Sequence, residues 1–285
     1  MQKCMGALHT TAIDLSAARL HVCRMHRRHF LLGSGAFSVA CAAGPTIPPA
    51  SPAEPARSPA RGVAAICFDL FTLFDPRSVV GVAESFAPGS GASLCETWRT
   101  RQFQYSWLRA AGGRYEDFEA VTRAALVYAS RAHDLRLSET AFGQLVAAYS
   151  ELEPWPDTRE QLEGFRSRGL RMAPLANYSP SMLSRLITRA KLSGYFDMLI
   201  STDAARTFKP DPRAYALGPQ RLGLPRERIV FSAFGGWDAA GATWFGFPTF
   251  WVNRLGVTAE TLEPAPQGTG ANLGELSRFV YERVG

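Results

Sequence analysis

The chain has 285 residues, which is enough for one large domain or two small ones, and its composition is that of an ordinary globular protein. Its net charge of +6 comes almost entirely from residues 1–61, which carry seven basic and two acidic side chains against 24 and 23 in the rest. A near-neutral body argues against a nucleic-acid partner. No apolar run is long enough to span a membrane.

Residues 1–44 have the pattern of an export leader. An arginine pair at 27–28 opens an apolar stretch, containing glycine and alanine, that runs to residue 40 and is typical of a twin-arginine signal; small residues at 40–42 offer a cleavage site. The sequence therefore predicts a periplasmic or secreted protein that meets a membrane only transiently, during export. Translation could begin at Met1 or at Met25.

Residues 45–61 form a linker rich in proline, alanine and serine, a composition that cannot pack a core. Folded sequence starts at Gly62. Of the five cysteines only Cys67 and Cys95 lie in this folded part, and they form neither a disulfide framework nor a CxxC motif. The sequence predicts no metal site and no cofactor.

The folded part begins with a short apolar run. Residues 63–68 are mostly apolar and partly β-branched, which is typical of a strand buried on both faces, and the run ends at Asp69. Residues 77–152 then carry apolar side chains at helical spacing, with breaks at 112–113 and 133–134. This pattern predicts an all-helical insert behind the first strand.

Strands and helices alternate from about residue 163 onward. Alternation of this kind predicts a parallel, doubly wound (Rossmann-like) α/β sheet. The predicted domains are an α/β core of residues 62–76 and 153–285 and an inserted helical cap of residues 77–152. The strands predicted after the cap cover residues 170–176, 197–201, 228–234 and 247–252.

Polar residues stand where these predicted strands end. Asp69, Asn177 and Asp238 follow three of the strands, and Lys209 follows a fourth. Taken singly, each has a simpler interpretation: an aspartate after a strand is usually a turn former, an asparagine can cap a helix, and a lysine before proline is usually solvated. Because the carboxyl ends of parallel strands meet at one edge of the sheet, four such coincidences favour a single site.

Four short motifs contain these residues: Phe68-Asp69, Asn177, Lys209-Pro210-Asp211 and Trp237-Asp238. Their order, with a helical insert after the first, resembles that of the haloacid dehalogenase superfamily over about residues 62–285. Longer segments resemble its L-2-haloacid dehalogenase (type II) branch. These segments are Trp98-Arg99, residues 105–109, 209–215, 237–241 and 245–249, and Asn253-Arg254.

The resemblance implies a hydrolase that releases halide from short L-2-haloacids through an ester on Asp69 and inverts the stereocentre. In this reading Asp69 is the nucleophile, Lys209 is the cation beside it, and Asp238 positions or activates water. The expected partner is the small 2-halo acid, and a homodimer is possible. The residues implied to bind substrate or halide, or to support the site, are Arg99 (halide), Thr72, Asn177, Tyr215, Phe71, Phe103 and Trp237.

Two absences argue against phosphoryl transfer. Phosphatases of the superfamily place a second aspartate two residues after the nucleophile, where this chain has Phe71, which cannot deliver a proton. Mg²⁺ also needs carboxylates at the fourth strand, where residues 235–238 contain only Asp238. A Mg-dependent phosphatase is therefore the weaker alternative.

Some residues depart from the branch. The nucleophile loop, residues 69–72, is one residue short and has no glycine before its threonine. Ala176, Ala233 and Gly235 stand where the branch has hydrogen-bonding side chains. At about 1 kcal/mol for each lost hydrogen bond, binding and rate would both suffer. A catalytically degenerate small-anion-binding protein is thus a further alternative, and the identity of the acid stays open.

Overall fold

A computed structural model describes residues 62–284 of the protein. The predicted export leader and linker, residues 1–61, lie outside the described residues. Within the described part of the chain, no helix is both long enough and apolar enough to cross a membrane.

Six strands form the central sheet. They are β1 (Ala65–Phe68), β4 (Arg171–Ala176), β5 (Ile200–Ser201), β6 (Ile229–Ala233), β7 (Thr249–Val252) and β8 (Gly268–Gly270). The order across the sheet is β5-β4-β1-β6-β7-β8, and every neighbouring pair is parallel. The predicted Rossmann-like α/β sheet is confirmed. A separate antiparallel ribbon pairs β2 (Phe74–Asp75) with β3 (Glu153–Pro154).

Helices fall into a cap group and a core group. A one-turn helix, α1 (Leu70–Leu73), directly follows β1. The cap helices between β2 and β3 are α2 (Ser78–Phe86), α3 (Gly91–Ala111), α4 (Phe118–Ala132) and α5 (Glu139–Ala148). The core helices are α6 (Thr158–Ser167), α7 (Pro180–Arg189), α8 (Pro212–Leu222), α9 (Gly236–Phe245) and α10 (Leu273–Tyr281). The helical insert is confirmed, and α3 and α4 end at Ala111 and Ala132, directly before the breaks predicted at 112–113 and 133–134.

Both faces of the sheet are buried, as expected for a parallel sheet covered by helices. Along β1, Cys67 faces a cluster that contains Tyr215 of α8, whereas Phe68 faces a second cluster and packs on Phe165 of α6 with ring centroids 6.0 Å apart. This alternation leaves only the ends of β1 available for polar chemistry. Asp69 directly follows its carboxyl end.

One strand was predicted too long, and one strand and one helix were not predicted. The strand predicted at 197–201 is reduced to Ile200–Ser201, because Asp197 already pairs with Met172: its N–H donates to the Met172 carbonyl and its Oδ2 accepts from the Met172 N–H, each at 2.9 Å. The last strand and helix, β8 and α10, were not predicted. A strand of glycine, threonine and glycine carries no apolar signal.

Candidate active site

Asp69 stands where β1 meets α1 and caps that one-turn helix. Its backbone is extended, and Oδ2 accepts a hydrogen bond from the N–H of Phe71 at 3.2 Å. The hydroxyl of Thr72 donates to the Asp69 main-chain carbonyl at 2.7 Å. The turn is therefore closed by its own hydrogen bonds. The carboxyl group of Asp69 keeps 14% of its side-chain surface exposed.

Lys209 lies between two carboxylates. Its Nζ is 2.6 Å from Oδ1 of Asp69 and 2.7 Å from Oδ2 of Asp238, and its side chain is 1% exposed. The backbone of Lys209 is held on both sides, since its N–H donates to Oδ1 of Asn177 at 2.9 Å and its carbonyl accepts from Nε1 of Trp107 at 3.2 Å. Three strand ends and one cap helix thus fix this ammonium group.

Asp238 lies in the first turn of α9 and is as buried as Lys209. Its second oxygen, Oδ1, accepts a hydrogen bond from the hydroxyl of Tyr215 at 2.7 Å. Burial and the neighbouring Asp238 charge raise the pKa of Tyr215 well above its ordinary value, so its hydroxyl stays protonated and acts as a donor. Both oxygens of Asp238 are therefore partnered.

The pKa values of Lys209 and Asp238 are both raised, but for different reasons. Burial works against the charge of Lys209, but the two anions Asp238 and Asp69 outweigh it and raise the pKa of Lys209. Burial raises the pKa of Asp238 to about 6; Lys209 opposes this rise and Asp69 adds to it. The asymmetry is physical, because Lys209 has two anions beside it, whereas Asp238 has one cation and a second anion.

A cavity between the cap and the core opens onto Asp69. Its lining is largely aromatic, as is usual for a site that binds a small molecule. The lining residues are Asp69, Leu70, Phe71, Arg99, Phe103, Phe118, Ala176, Asn177, Tyr178, Phe234, Gly235 and Trp237.

Arg99 brings a positive charge to the cap side of this cavity. Its guanidinium carbon lies 5.6 Å from the ring centre of Phe71, 5.8 Å from Phe103 and 5.5 Å from Phe234. Aromatic faces attract a cation but are weaker partners than a carboxylate. Among the described residues no carboxylate pairs with Arg99. It is therefore a cation that still has room for an anion.

The structure separates the predicted site residues into two groups. Asp69, Phe71, Arg99, Asn177, Phe103 and Trp237 line the cavity. Thr72, Lys209, Tyr215 and Asp238 are buried behind that lining, where they hold Asp69 and one another through the hydrogen bonds given above. The roles assigned to all ten residues stay predictions.

The departures from the resembling branch have visible consequences. Ala176 and Gly235 line the cavity, whereas Ala233 is fully buried in β6. A Cβ atom on Gly235 would lie 2.7 Å from Nε1 of Trp237. The missing side chain is thus what lets the Trp237 indole lie against the backbone at 235. That indole packs edge-on against Phe103, with ring centroids 5.4 Å apart.

The sequence did not predict four of the cavity residues, Leu70, Tyr178, Phe234 and Phe118. Tyr178 and Phe234 lie at or just past strand ends, next to residues that were predicted, and this adjacency was the available signal. Phe118 begins α4 and stacks on Tyr178 with ring centroids 5.2 Å apart. No local pattern distinguishes it from a core residue of the cap.

The polar cluster has little to offer a metal ion. Within residues 62–284, no group of three or more His, Cys, Asp or Glu side chains could hold one. The ammonium of Lys209 already occupies the position between the carboxylates of Asp69 and Asp238. The two anions therefore have their cation within the chain.

A parallel sheet with a helical cap inserted after its first strand, and with carboxylates at its strand ends, is typical of one class of hydrolases. A family model of haloacid dehalogenase-like hydrolases matches residues 63–246, which is more than half of the chain. The protein belongs to this family.

Within that family, the chain is similar to (S)-2-haloacid dehalogenases. It is 39% identical to (S)-2-haloacid dehalogenase H-109 of Pseudomonas putida, over 76% of this chain and 97% of that protein. It is 40% identical to the enzyme of Xanthobacter autotrophicus, over 78% and 97%. The crystal structure of an L-2-haloacid dehalogenase from X. autotrophicus with covalently bound chloropropionic acid superimposes with a TM-score of 0.73 at 36% identity, covering 77% and 98% of the two chains.

Proposed function

We propose that the protein is a hydrolytic dehalogenase that acts on short L-2-haloacids through an ester on Asp69. The observation that carries the proposal is the placement of the Asp69 carboxylate, which is bound by Lys209 on its inner side and exposed to the cavity that holds Arg99. The relatives named above support the same activity, as does the X. autotrophicus structure with covalently bound chloropropionic acid.

In the first step a carboxylate oxygen of Asp69 attacks C2 of the substrate. The new C–O bond forms as the carbon–halogen bond breaks, and the halide leaves with the bonding electrons. Attack from the side opposite the halide inverts C2. A halide needs no proton, so a general acid at the position of Phe71 is not required. Arg99, the cation without a carboxylate partner, would stabilise the leaving halide.

In the second step water attacks the ester carbonyl carbon of Asp69. Asp238 accepts one proton from that water and passes it to the departing oxygen of the 2-hydroxy acid, while the second proton of the water is released to solvent. The C–O bond to Asp69 breaks and its carboxylate is restored, carrying one oxygen from water. Lys209, 2.6 Å from Asp69, stabilises the negative charge that develops on the carbonyl oxygen. C2 is untouched in this step, so the single inversion is kept.

The cavity favours small substrates. The aromatic rings of Phe71, Phe103 and Phe234 line the cavity and suit a short acid with an apolar substituent at C2. The substrate carboxylate has to bind through N–H groups and Asn177, because Ala176 offers no hydroxyl.

The decisive experiment follows chloride release from a panel of short 2-haloacids, including both enantiomers of 2-chloropropionate, with Asp69→Asn as the control. A single turnover in H₂¹⁸O adds a second readout, since one labelled oxygen is expected in the Asp69 carboxylate. If no chloride is released and no label enters Asp69, the dehalogenase proposal is wrong.

The same measurements separate the two alternatives. Turnover of an aryl phosphate with Mg²⁺, abolished by Asp69→Asn, would favour a phosphatase, although Phe71 and the position of Lys209 speak against it. Binding of a short acid without turnover would favour a degenerate anion-binding protein, which the lost side chains at Ala176 and Gly235 would explain.

We also propose that residues 1–44 direct export by the twin-arginine route and that the mature protein works in the periplasm or outside the cell. The support is the arginine pair at 27–28 and the apolar stretch behind it. Cell fractionation tests this: a protein found only in the cytoplasm at full length would refute it. A homodimer is expected from the resemblance alone, and light scattering of the purified protein would test it.

A further inference from the structure

Arg254 contacts the turn that carries the nucleophile. Its Nη2 donates a hydrogen bond to the main-chain carbonyl of Thr72 at 2.9 Å, three residues after Asp69. Its Nη1 donates to Oδ2 of Asp157 at 2.9 Å, and Nη2 lies 2.8 Å from Oδ1 of the same carboxylate as an additional ionic contact. The side chain is only 6% exposed. Arg254 follows β7 and so reaches the turn from the core.

Trp155 supports both partners of this contact. Two guanidinium groups pack on its indole ring, with that of Arg254 at 4.9 Å and that of Arg77 at 5.1 Å from the ring centre. Its Nε1 donates to the main-chain carbonyl of Phe71 at 3.0 Å. Trp155 directly follows β3, at the joint between the cap and the core.

Asp157 holds Arg254 from the other side. Its Oδ2 also accepts a hydrogen bond from the N–H of Leu273, at the start of α10, at 2.9 Å. The carboxylate is thus fixed to a core helix as well as to the guanidinium. A hydrogen bond between charged groups, as between Arg254 and Asp157, is stronger than a neutral hydrogen bond.

These contacts matter because α1 is a single turn. A four-residue helix cannot satisfy its last carbonyl groups by itself. The carbonyls of Phe71 and Thr72 are instead satisfied from outside, by Trp155 and Arg254. The position of the turn, which carries Asp69 at one end and the cavity residue Phe71 within it, is therefore set by side chains that never reach the cavity.

We propose that Arg254, held by Asp157 and Trp155, is a positioning residue for the reaction: it fixes the turn so that the Asp69 carboxylate faces the substrate. The inference rests on the proposed dehalogenase function, because it assigns the orientation of the nucleophile in that reaction. It predicts that loss of Arg254 slows ester formation without weakening substrate binding, since Arg254 touches neither the cavity nor the substrate.

The test compares Arg254→Met and Arg254→Lys with the unchanged protein, using L-2-chloropropionate. A misplaced nucleophile costs about ten- to a hundredfold in rate, so Arg254→Met is expected to lose that much in kcat with KM within about threefold. Arg254→Lys keeps the charge and one donor, and its kcat is expected to lie between that of Arg254→Met and that of the unchanged protein. Equal kcat in all three proteins would overturn the proposal.

Arg171 offers a matched control. It too joins an aspartate and a main-chain carbonyl: Nε lies 3.2 Å from Oδ1 of Asp197, and Nη1 donates to the carbonyl of Leu222 at 2.6 Å. It starts β4, at the sheet edge opposite the cavity. Arg171→Met is therefore expected to keep kcat. If it loses as much kcat as Arg254→Met, the effect is general destabilisation and the proposal is wrong.

Amide hydrogen exchange gives a readout that does not need activity. In Arg254→Met, protection is expected to fall by about tenfold or more at residues 70–74 and to stay unchanged in β4 and α3. Unchanged protection at 70–74 would overturn the inference. If that protection falls but the unchanged protein releases no halide, the turn is held as described and the dehalogenase function has failed instead.

Discussion

The two sides of the cavity differ in how their charges are held. On the core side, the Lys209 ammonium contacts Asp69 and Asp238 at 2.6 and 2.7 Å, and the exposed fraction of its side chain is 1%. On the cap side, the guanidinium of Arg99 lies 5.5 to 5.8 Å from three aromatic rings, and none of the described carboxylates pairs with it. The core charges are already paired, whereas the cap charge is not.

This difference indicates different roles for the two sides in the proposed reaction. Groups that are paired before the substrate arrives need no rearrangement during the reaction, which is where preorganised electrostatics is most effective. A cation without an anion gains its partner only when substrate or halide is present, so its contribution appears in the complex and the transition state. Changes on the core side should therefore disturb the empty protein, and changes at Arg99 should not.

Replacing Lys209 by methionine gives the largest expected effect. The two carboxylates would lose the cation they share, and removal of one partner from a buried ion pair costs about 3–5 kcal/mol of stability. Loss of the charge beside the developing oxyanion should lower kcat by about 10²–10³-fold. Chemical denaturation and chloride release measure the two effects. A variant of normal stability would contradict the picture of a paired, buried core side.

The pH dependence of stability tests the same side more finely. The pKa of Asp238 is raised by burial to about 6, above its ordinary 3.8, so the folded protein binds the proton more tightly. Its contribution to stability is then present below about pH 4 and is lost as the pH rises through 6, a change of about 3 kcal/mol. Denaturation at several pH values should show this slope in the unchanged protein but not in Asp238→Asn. Identical slopes would contradict the raised pKa.

Arg99→Met tests the cap side. We expect kcat to fall about tenfold to a hundredfold, because the leaving halide loses its cation. Stability should stay within about 0.5 kcal/mol, since only contacts with rings are lost. Arg101, which packs on Tyr128 of the same cap with its guanidinium carbon 4.0 Å from the ring centre, provides the matched control. If Arg101→Met lowers kcat as much, the loss is not specific to the cavity.

Tyr215→Phe is expected to have the smallest effect. The hydroxyl of Tyr215 donates to Oδ1 of Asp238 and lowers the pKa of that carboxyl, so its removal should raise the pKa of Asp238 further. The loss of one buried hydrogen bond corresponds to about 1 kcal/mol, or roughly fivefold in kcat. The fall in stability, which the unchanged protein shows as the pH rises through 6, should move to higher pH. A shift to lower pH would show that the hydroxyl does not donate to Asp238.

Much of the core side could be predicted from sequence. Asp69, Asn177, Lys209 and Asp238 follow buried strands, and the topology of a parallel sheet brings such positions to one edge whatever lies between them. The helical cap was predictable for a similar reason, since helical periodicity is a local property. Neither prediction needed knowledge of a contact between distant residues.

The rest depends on contacts that no local pattern records. Arg254 lies 182 residues after Thr72, and Asp157 lies 97 residues before Arg254, yet the three meet through hydrogen bonds. Phe118 reaches the cavity only because α4 packs across Tyr178. The sequence placed Thr72 and Tyr215 among the residues that bind substrate or support the site, but it did not indicate that their hydroxyls donate to the Asp69 carbonyl and to Asp238.

Because two aspartates share one lysine, the charges around Asp238 differ before and after the ester forms. In the empty site one cation faces two anions, and the Asp69 charge helps to raise the pKa of Asp238. In the proposed reaction, esterification removes the charge of Asp69 and leaves Lys209 to attract Asp238 alone. Both changes favour the ionised form of Asp238. Formation of the ester thus lowers the pKa of Asp238, which has to accept a proton in the next step. Hydrolysis of the ester should therefore persist at a pH below 6.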